Sequence, residues 1–322
     1  MQSRKTKLKL WVFALVLCAS LAAASIYGAF ISQKQNELSQ EKPLLALENL
    51  RRKYAAIDSV HIIADAKIAM YGEDFRVGLG RFEYWARGNK YRTKTSTDKL
   101  LKLNTDLDVA YDGERFYYFD QRSGILSYRS TDDLRSHAAL PNPLFLPLDY
   151  LSNDDDECPL CKLRLSQVKS DNVRWGTRAR SLEVKAKRHE SSDRVITDVE
   201  MPGGKMRGRP FKLRMRLVGT EEDNANPLQI ERISPEGQVL SVITFDGFMD
   251  NSSLPMPRDI LITVFDANGN VALRLEYTIK LLEINQSFDN RIFTISFDDA
   301  EGVWDTDGRR FVKEKKPKGL RE

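Results

Sequence analysis

Apolar and polar residues alternate with a period of two along most of the chain after residue 58. Over residues 60–70 the apolar side chains occupy the even positions, opposite His61, Asp65 and Lys67. Alternation of this kind predicts a strand with one face in the core and one face in water.

Similar runs follow, separated by turn residues such as Asp112-Gly113 and Asn268-Gly269. The Asn-Gly pair is a strong hairpin signal. About a dozen strands joined by short polar turns, with little helix between them, predict an antiparallel sheet. Because apolar and polar residues alternate in most strands, one face of this sheet is predicted to be exposed to solvent.

One strand changes its pattern. The apolar residues switch parity at Gly80, from Phe75, Val77 and Leu79 before it to even positions after it. This switch predicts a bulge or a sharp curl that keeps all of these side chains on the apolar face.

A sheet this wide must curl onto itself or meet a second layer. Two helical segments are predicted to cover it, at residues 36–56 and 141–151. The predicted fold is mainly β (α+β): a curved antiparallel sheet that forms an incomplete barrel, covered by a few helices, with an apolar cavity on its concave side. Six aromatic residues are either ordinary core or the lining of this cavity: Phe82, Tyr84, Tyr91, Phe116, Tyr118 and Phe211.

The segment LPNPLFLPLDYL, residues 140–151, is apolar but contains three prolines, which interrupt both helix and ladder. It is either a loop packed into the core or a lid that exchanges its contacts for those of a lipid tail. Arg92 either forms an exposed ion pair or holds this lid or an anionic head group by charge-assisted hydrogen bonds. The predicted lid side chains are Leu144, Phe145, Leu146 and Leu148.

The formal net charge of +4 is located at the N-terminus. Four of the 50 basic residues precede residue 10, which leaves 46 against 46 acidic residues in the rest of the chain. A neutral body lacks the basic surplus from which nucleic-acid binders gain affinity, so that class of partner is excluded.

Residues 10–31 contain no Asp, Glu, Lys or Arg. The run is long enough for a bilayer, which takes about 20 apolar residues. It is either a membrane anchor, with residues 1–9 in the cytoplasm, or a signal cleaved after the small residues 22–24. Both predict one exported domain at 32–308 and a basic tail at 309–322, in the cell envelope. The domain would be anchored in the inner membrane facing the periplasm, or free in the periplasm.

Cys158 and Cys161 form a Cys-x-x-Cys pair behind an acidic run. In an oxidising compartment such a pair is typical of a local disulfide; a metal or redox site and free thiols are the alternatives. Zinc would need two more ligands, and the three histidines have no paired spacing. With no nucleophile elbow, metal-binding histidine pair or phosphate loop, the sequence predicts no enzyme, metal or cofactor.

Three stretches together resemble a known superfamily. The helix leads through AIDSVHIIADAKI into the first strand; GRFEYWARGNKYR is followed by DVAYDGERFYYFD; and NQSFDNRIFTISFDDAEGVWD lies near the end. In this order they resemble the periplasmic lipoprotein carriers LolA and LolB and their relative RseB. The resemblance covers about half of the exported chain and implies a half-barrel, closed by helices, that holds acyl chains.

The predicted function is therefore non-enzymatic binding of a lipid, or of the acyl chains of a lipidated protein, in lipid or lipoprotein trafficking. The alternative is an RseB-like envelope sensor or scaffold that binds a protein partner. A third hypothesis is a thiol oxidoreductase that uses the cysteine pair.

Overall fold

The structure, a computed structural model, describes residues 47–72, 75–98, 106–130, 140–151, 185–191, 194–206, 209–219, 226–249 and 254–313. The segment predicted as an anchor or signal, 10–31, and the predicted disulfide between Cys158 and Cys161 lie outside these residues. None of the helices in the described part combines the length and apolar character that crossing a bilayer requires.

Fifteen strands form a single sheet. Their bounds are β1 Ser59–Met70, β2 Arg76–Arg87, β3 Lys90–Thr97, β4 Leu107–Tyr111, β5 Phe116–Asp120, β6 Ile125–Arg129, β7 Lys185–Ser191, β8 Arg194–Met206, β9 Arg209–Gly219, β10 Asn226–Ile233, β11 Val239–Phe248, β12 Pro257–Phe265, β13 Val271–Ile284, β14 Gly302–Asp305 and β15 Arg310–Lys313. Helical structure comprises an α-helix at 47–55 (α1) and 3₁₀ helices at Pro143–Leu151, Asn290–Phe293 and Phe297–Asp299.

The chain enters the sheet at its centre, where β1 pairs with β2 on one side and β13 on the other. The full order is β15-β14-β6-β5-β4-β3-β2-β1-β13-β12-β11-β10-β9-β8-β7. Neighbours are antiparallel apart from the parallel junction of β6 with β14. The sheet is curved, and β7 and β15 end it without pairing with each other, so the predicted incomplete barrel is confirmed. β15 lies within the segment predicted as a basic tail, so the sheet extends past residue 308.

The inner face of the sheet carries one continuous apolar core. On β1 the even-numbered side chains from 60 to 68 are at most 3 % exposed, as their alternation predicts. Antiparallel pairing places Ile62 opposite Tyr84 and Ala64 opposite Phe82. Side chains directly opposite each other on one face are in contact distance, so the aromatic residues of β2 cover the small ones of β1.

The prediction of a bulge at Gly80 is wrong, because β1 and β2 pair without any shift of register. Gly78 and Gly80 occupy the inner positions near the turn, and Val77 and Leu79 therefore lie on the outer face. A Cβ on Gly80 would approach the carbonyl oxygen of Ser96 to 2.9 Å, which explains the glycine at this close approach of two strands. The change of parity in the sequence marks a change of face.

A second, smaller apolar cluster lies on the outer face. The prediction of a wet outer face therefore fails over the N-terminal strands. The consecutive aromatic residues 116–119 are the sequence signal for this, since strands buried on both faces lose their alternation. The cluster consists of Ala110, Tyr117, Leu126, Ile295, Ala300 and Val303, with Phe119, Tyr128 and Phe297 packed against it.

The turn between β4 and β5 fixes the position of these aromatic residues. The carboxylate of Asp112 accepts hydrogen bonds from the backbone N–H of Glu114 at 2.8 Å, from that of Arg115 at 2.7 Å and from the hydroxyl of Tyr117 at 2.9 Å. Burial favours the neutral carboxyl, but these bonds outweigh it and hold the pKa of Asp112 below its ordinary value of 3.8. Burial, followed by the bond to Asp112, raises the pKa of Tyr117 to about 12.

This turn predicts a specific acid sensitivity. Because the folded pKa of Asp112 is depressed, its stabilising contribution is complete above about pH 4 and is lost as the pH falls through the folded value. We expect the difference in unfolding free energy between the natural chain and Asp112→Asn to be larger at pH 7 than at pH 2.5, measured by urea unfolding. A difference that stays constant with pH would contradict the role of the ionised carboxylate.

Candidate functional site

The inner face holds the aromatic residues predicted to line a cavity. Five of them, Phe82, Tyr84, Tyr91, Phe116 and Phe211, are at most 4 % exposed and belong to the single inner core, while Tyr118 is partly buried and packs against it. In the described closed state they are therefore in contact with the chain's own side chains. Lining of a ligand cavity by these six residues remains a prediction.

The segment at residues 140–151 covers this face as a 3₁₀ helix. The side-chain oxygen of Asn142 accepts from the N–H of Leu144 at 3.0 Å, and its carbonyl accepts from the N–H of Phe145 at 3.1 Å. Pro147 has no N–H to donate, and the helix is kinked at Leu148, where φ is −103°. The prolines thus keep this segment short and irregular, as the sequence predicts.

The predicted lid side chains point into the inner core. Leu144, Phe145, Leu146 and Leu148 are at most 3 % exposed. The ring of Phe145 packs edge-to-face against Tyr84, with centroids 5.9 Å apart and an interplanar angle of 77°. These four side chains are therefore part of the inner core.

A hydrogen bond ties this segment to the sheet. The hydroxyl of Tyr277, on β13, donates to the carbonyl of Pro141 at 2.7 Å. The ring of Tyr277 is buried and packs edge-to-face on Phe82 at 6.3 Å. The segment is thus held by apolar contacts along its length and by a polar bond at its beginning.

Helix α1 covers another part of the inner face. Leu47, Leu50 and Tyr54 lie in the same core, each at most 2 % exposed. The hydroxyl of Tyr54 contacts the sulfur of Met256 at 3.9 Å. Burial raises the pKa of Tyr54 far above its usual range, so this phenol stays neutral.

The prediction that Arg92 holds the lid is wrong. Arg92 neighbours Tyr91 on β3, and successive side chains of a strand point to opposite faces, so Arg92 lies on the outer face. Its Nε donates to the carboxylate of Asp108 at 2.7 Å, a second bond to the same carboxylate makes the pair bidentate, and Nη1 donates to the carbonyl of Ile292 at 2.9 Å. Both partners lie away from residues 140–151.

Arg87 holds the same C-terminal segment against the outer face. Its Nη1 donates to the carbonyl of Phe288 at 3.0 Å, and its Nη2 donates to the side chain of Asn290. The guanidinium also lies over the rings of Phe288 and Phe293, at 5.6 and 5.9 Å. Arg87 and Arg92 therefore fasten residues 286–300, which we call the outer strap.

His61 links three strands beside this strap. Its ring stacks on Trp85 at 4.9 Å with an interplanar angle of 8°. Its Nδ1 lies 3.0 Å from the carboxylate of Glu283, and its Nε2 lies 3.0 Å from that of Glu83. Across the described ranges, no group of three or more His, Cys, Asp or Glu side chains has a metal-binding arrangement.

Arg232 is an inner-face charge that the sequence analysis missed. It lies on β10 two residues after Ile230 and opposite Leu213, both of which belong to the inner core. It is 4 % exposed, its guanidinium lies over Phe211 at 5.8 Å, and its Nη1 is 3.5 Å from the hydroxyl of Ser241. A basic residue at an apolar position of an alternating strand was the available signal.

Comparison with solved structures returns the superfamily that the motifs resemble. A LolA superfamily protein from Nitrosomonas europaea is 13 % identical, with a TM-score of 0.43, over 78 % of this chain and 97 % of that one. A DUF1329 family protein from Desulfovibrio piger is 7 % identical, with a TM-score of 0.47, over 80 % and 97 %. A domain from Vibrio parahaemolyticus named for outer membrane lipoprotein sorting is 10 % identical, with a TM-score of 0.45, over 77 % and 95 %.

No protein-family model matches the chain, and no curated protein matches it in sequence. Likenesses at these TM-scores carry no argument about function. One of these solved structures is that of a LolA superfamily protein, the superfamily that three stretches of this sequence resemble.

Proposed function

We propose that this chain is a non-enzymatic binding protein of the cell envelope that holds an acyl chain, of a lipid or a lipidated protein, between the inner face of its sheet and residues 140–151. The observation that carries the proposal is the position of the lid side chains, which lie against the aromatic inner face in a short 3₁₀ helix that contains Pro147. The domain would act from the inner membrane or free in the periplasm.

The energies of opening and binding are comparable. Burying a side chain such as Leu or Phe is worth about 1.5–3 kcal/mol, so the four lid side chains contribute about 6–12 kcal/mol. A saturated chain of about fifteen methylenes gains about 12 kcal/mol at 0.8 kcal/mol per CH₂. An acyl chain can therefore replace the lid on the inner face without a large net cost.

Arg232 is the residue we propose for the anionic end of such a ligand, in place of Arg92. Its guanidinium lies on the inner face beside Phe211, where an ionised carboxylate or phosphate would form charge-assisted hydrogen bonds. Arg232→Gln should weaken the binding of a fluorescent fatty acid more than that of its uncharged methyl ester. Equal weakening of the two probes would remove Arg232 from this role.

The direct test is extraction of the purified full chain followed by mass spectrometry of the extract, together with titration of a fluorescent fatty acid. We expect co-purified lipid and saturable binding at one site per chain. A protein that is consistently empty and has no affinity for the probe would contradict the proposal.

The hydrogen bond from Tyr277 predicts how quickly the lid opens. Tyr277→Phe removes a bond worth about 1 kcal/mol, so we expect uptake of the fluorescent fatty acid to become about fivefold faster, measured by stopped flow. Tyr54→Phe is the matched control, since Tyr54 is equally buried but its hydroxyl contacts the sulfur of Met256. Equal rates in the two variants would show that the bond to Pro141 does not restrain opening.

A sensor or scaffold that binds a protein partner is the second candidate function. The observation that favours it is that the predicted lining residues are already buried against the chain's own side chains. In that case the inner face is only core, and cross-linking in whole cells would yield one stoichiometric protein adduct from a chain that carries no lipid.

A further inference from the structure

The exposed large apolar residues of the described chain fall in two places, and the larger set is at the turn between β1 and β2. Tyr71, Phe75, Val77 and Leu79 are 39, 62, 39 and 62 % exposed, and we call these four residues the hairpin patch. The rings of Tyr71 and Phe75 contact each other at 5.2 Å. The sequence placed Phe75, Val77 and Leu79 on the inner face, and that prediction is wrong.

The pairing of the strands fixes where the patch lies. Ala69 on β1 pairs with Val77 on β2 and with Arg274 on β13, so these three residues form one row across the outer face. In the next row Lys67 lies between Leu79 and Glu276. The patch thus continues from the turn onto the outer face, where the basic Lys67 and Arg274 and the acidic Glu276 border it.

The charged and polar groups at the border of the patch differ in whether they have an ion-pair or hydrogen-bond partner. Lys67 pairs with Glu276 at 3.8 Å, and Asp98 accepts from the N–H of Leu79 at 3.0 Å. No residue in the described ranges gives Arg81 or Arg274 a hydrogen bond or an ion pair, and the buried Nε of Arg274 has no acceptor. Within the described residues these two guanidinium groups beside the patch thus have no anionic partner, and guanidinium binds phosphate oxygens well.

The size and shape of the patch indicate the kind of partner. A stable protein interface needs about 800 Å² from each partner, whereas four partly exposed side chains offer only a few hundred Å². They lie at the end of a hairpin, on its turn and on the outer face of its second strand. Aromatic and aliphatic side chains bordered by arginine are typical of surfaces that enter the interfacial region of a bilayer.

We propose that the hairpin patch is a membrane-contact surface: Phe75 and Leu79 enter the interfacial region of a phospholipid bilayer while Arg81 and Arg274 bind phosphate groups of its lipids. This contact uses the outer face and the end of the sheet, so it does not depend on what the inner face holds. It would position the domain against the membrane from which lipid or a lipidated protein is taken.

The test is photo-crosslinking of the full chain in vesicles. A benzophenone amino acid replaces Phe75, Leu79 or, as the control, Phe311, which is 47 % exposed on β15 away from the patch. We expect adducts with phospholipid acyl chains from positions 75 and 79 and at least fivefold less from position 311. Equal lipid labelling at the three positions, or an adduct of protein size from position 75, would overturn the proposal.

The phosphate contact has its own test with the crosslinker at position 75. Arg81→Gln with Arg274→Gln should lower the yield of lipid adduct severalfold in vesicles containing phosphatidylglycerol, and less in vesicles of phosphatidylcholine alone. Lys212→Gln with Arg214→Gln, on β9 of the same outer face and away from the patch, is the matched charge control. Equal yields from the arginine variant and this control would overturn the assigned role of the two arginines. Circular dichroism confirms that each variant is folded.

Discussion

Replacing Asp108 by alanine is expected to lower the free energy of unfolding by about 3–5 kcal/mol, because it would leave the mostly buried guanidinium of Arg92 without its carboxylate. The side chains of Arg92 and Asp108 are only 14 and 5 % exposed, and the pair is bidentate. Arg92 also holds the outer strap through the carbonyl of Ile292. Loss of the carboxylate should therefore loosen the cover of the outer face as well, which urea unfolding and proteolysis within 286–300 would detect.

Two control variants separate the buried charge from the loss of a contact. Arg92→Met with Asp108→Leu removes both charges, so most of the stability should return. Asp198→Ala breaks the pair with Arg216, where the arginine side chain is 50 % exposed, and should cost at most about 1 kcal/mol. If Asp108→Ala lowers the free energy of unfolding no more than Asp198→Ala does, the buried pair does not hold the outer strap.

The inner face could be predicted because its residues follow the alternation of apolar and polar side chains along each strand. Alternation alone placed Phe82, Tyr84 and Phe116 on the buried side, and the register of the strands puts them there. The same rule would have placed Arg92 correctly, since it directly follows Tyr91 on one strand and must face the other way.

The outer face was harder to predict because its cover comes from distant sequence. The outer strap lies about 200 residues after the strands that it covers, and short 3₁₀ helices have no periodic pattern. Their local caps are visible: Asp289 accepts from the N–H of Arg291, and Ser296 from that of Asp298. The available sequence signal was the run of aromatic residues at 116–119, because a strand with one solvent-exposed face alternates apolar and polar residues.

The hairpin patch escaped prediction for a related reason. Val77 and Leu79 are apolar like the core, so hydrophobicity alone assigns them to the inner face, and a bulge had to be assumed at Gly80 to keep them there. The deciding fact is steric: position 80 on the inner face holds glycine because the neighbouring strand approaches too closely for a Cβ. Only coordinates show that approach.

The lid gives the second large expected effect, since Phe145→Ala should act on stability and on binding in opposite directions. Deleting a buried phenylalanine ring that packs on Tyr84 should lower the free energy of unfolding by about 3–5 kcal/mol. The same change removes contacts that a ligand must displace, so the fluorescent fatty acid should bind about tenfold more tightly. Urea unfolding and probe titration measure the two quantities.

Phe293→Ala is the matched control for this prediction, because Phe293 is also fully buried but belongs to the outer strap, on the other side of the sheet. It should lose stability by a similar amount and leave the affinity for the fatty acid unchanged. Phe145→Leu, a smaller truncation of the same side chain, should show both effects in reduced size if the alanine variant does not fold. Only the ring of Phe145 occupies the place proposed for an acyl chain. Equal changes of affinity in the Phe145 and Phe293 variants would therefore mean that a general loss of stability, and not displacement of the lid, controls access to the inner face.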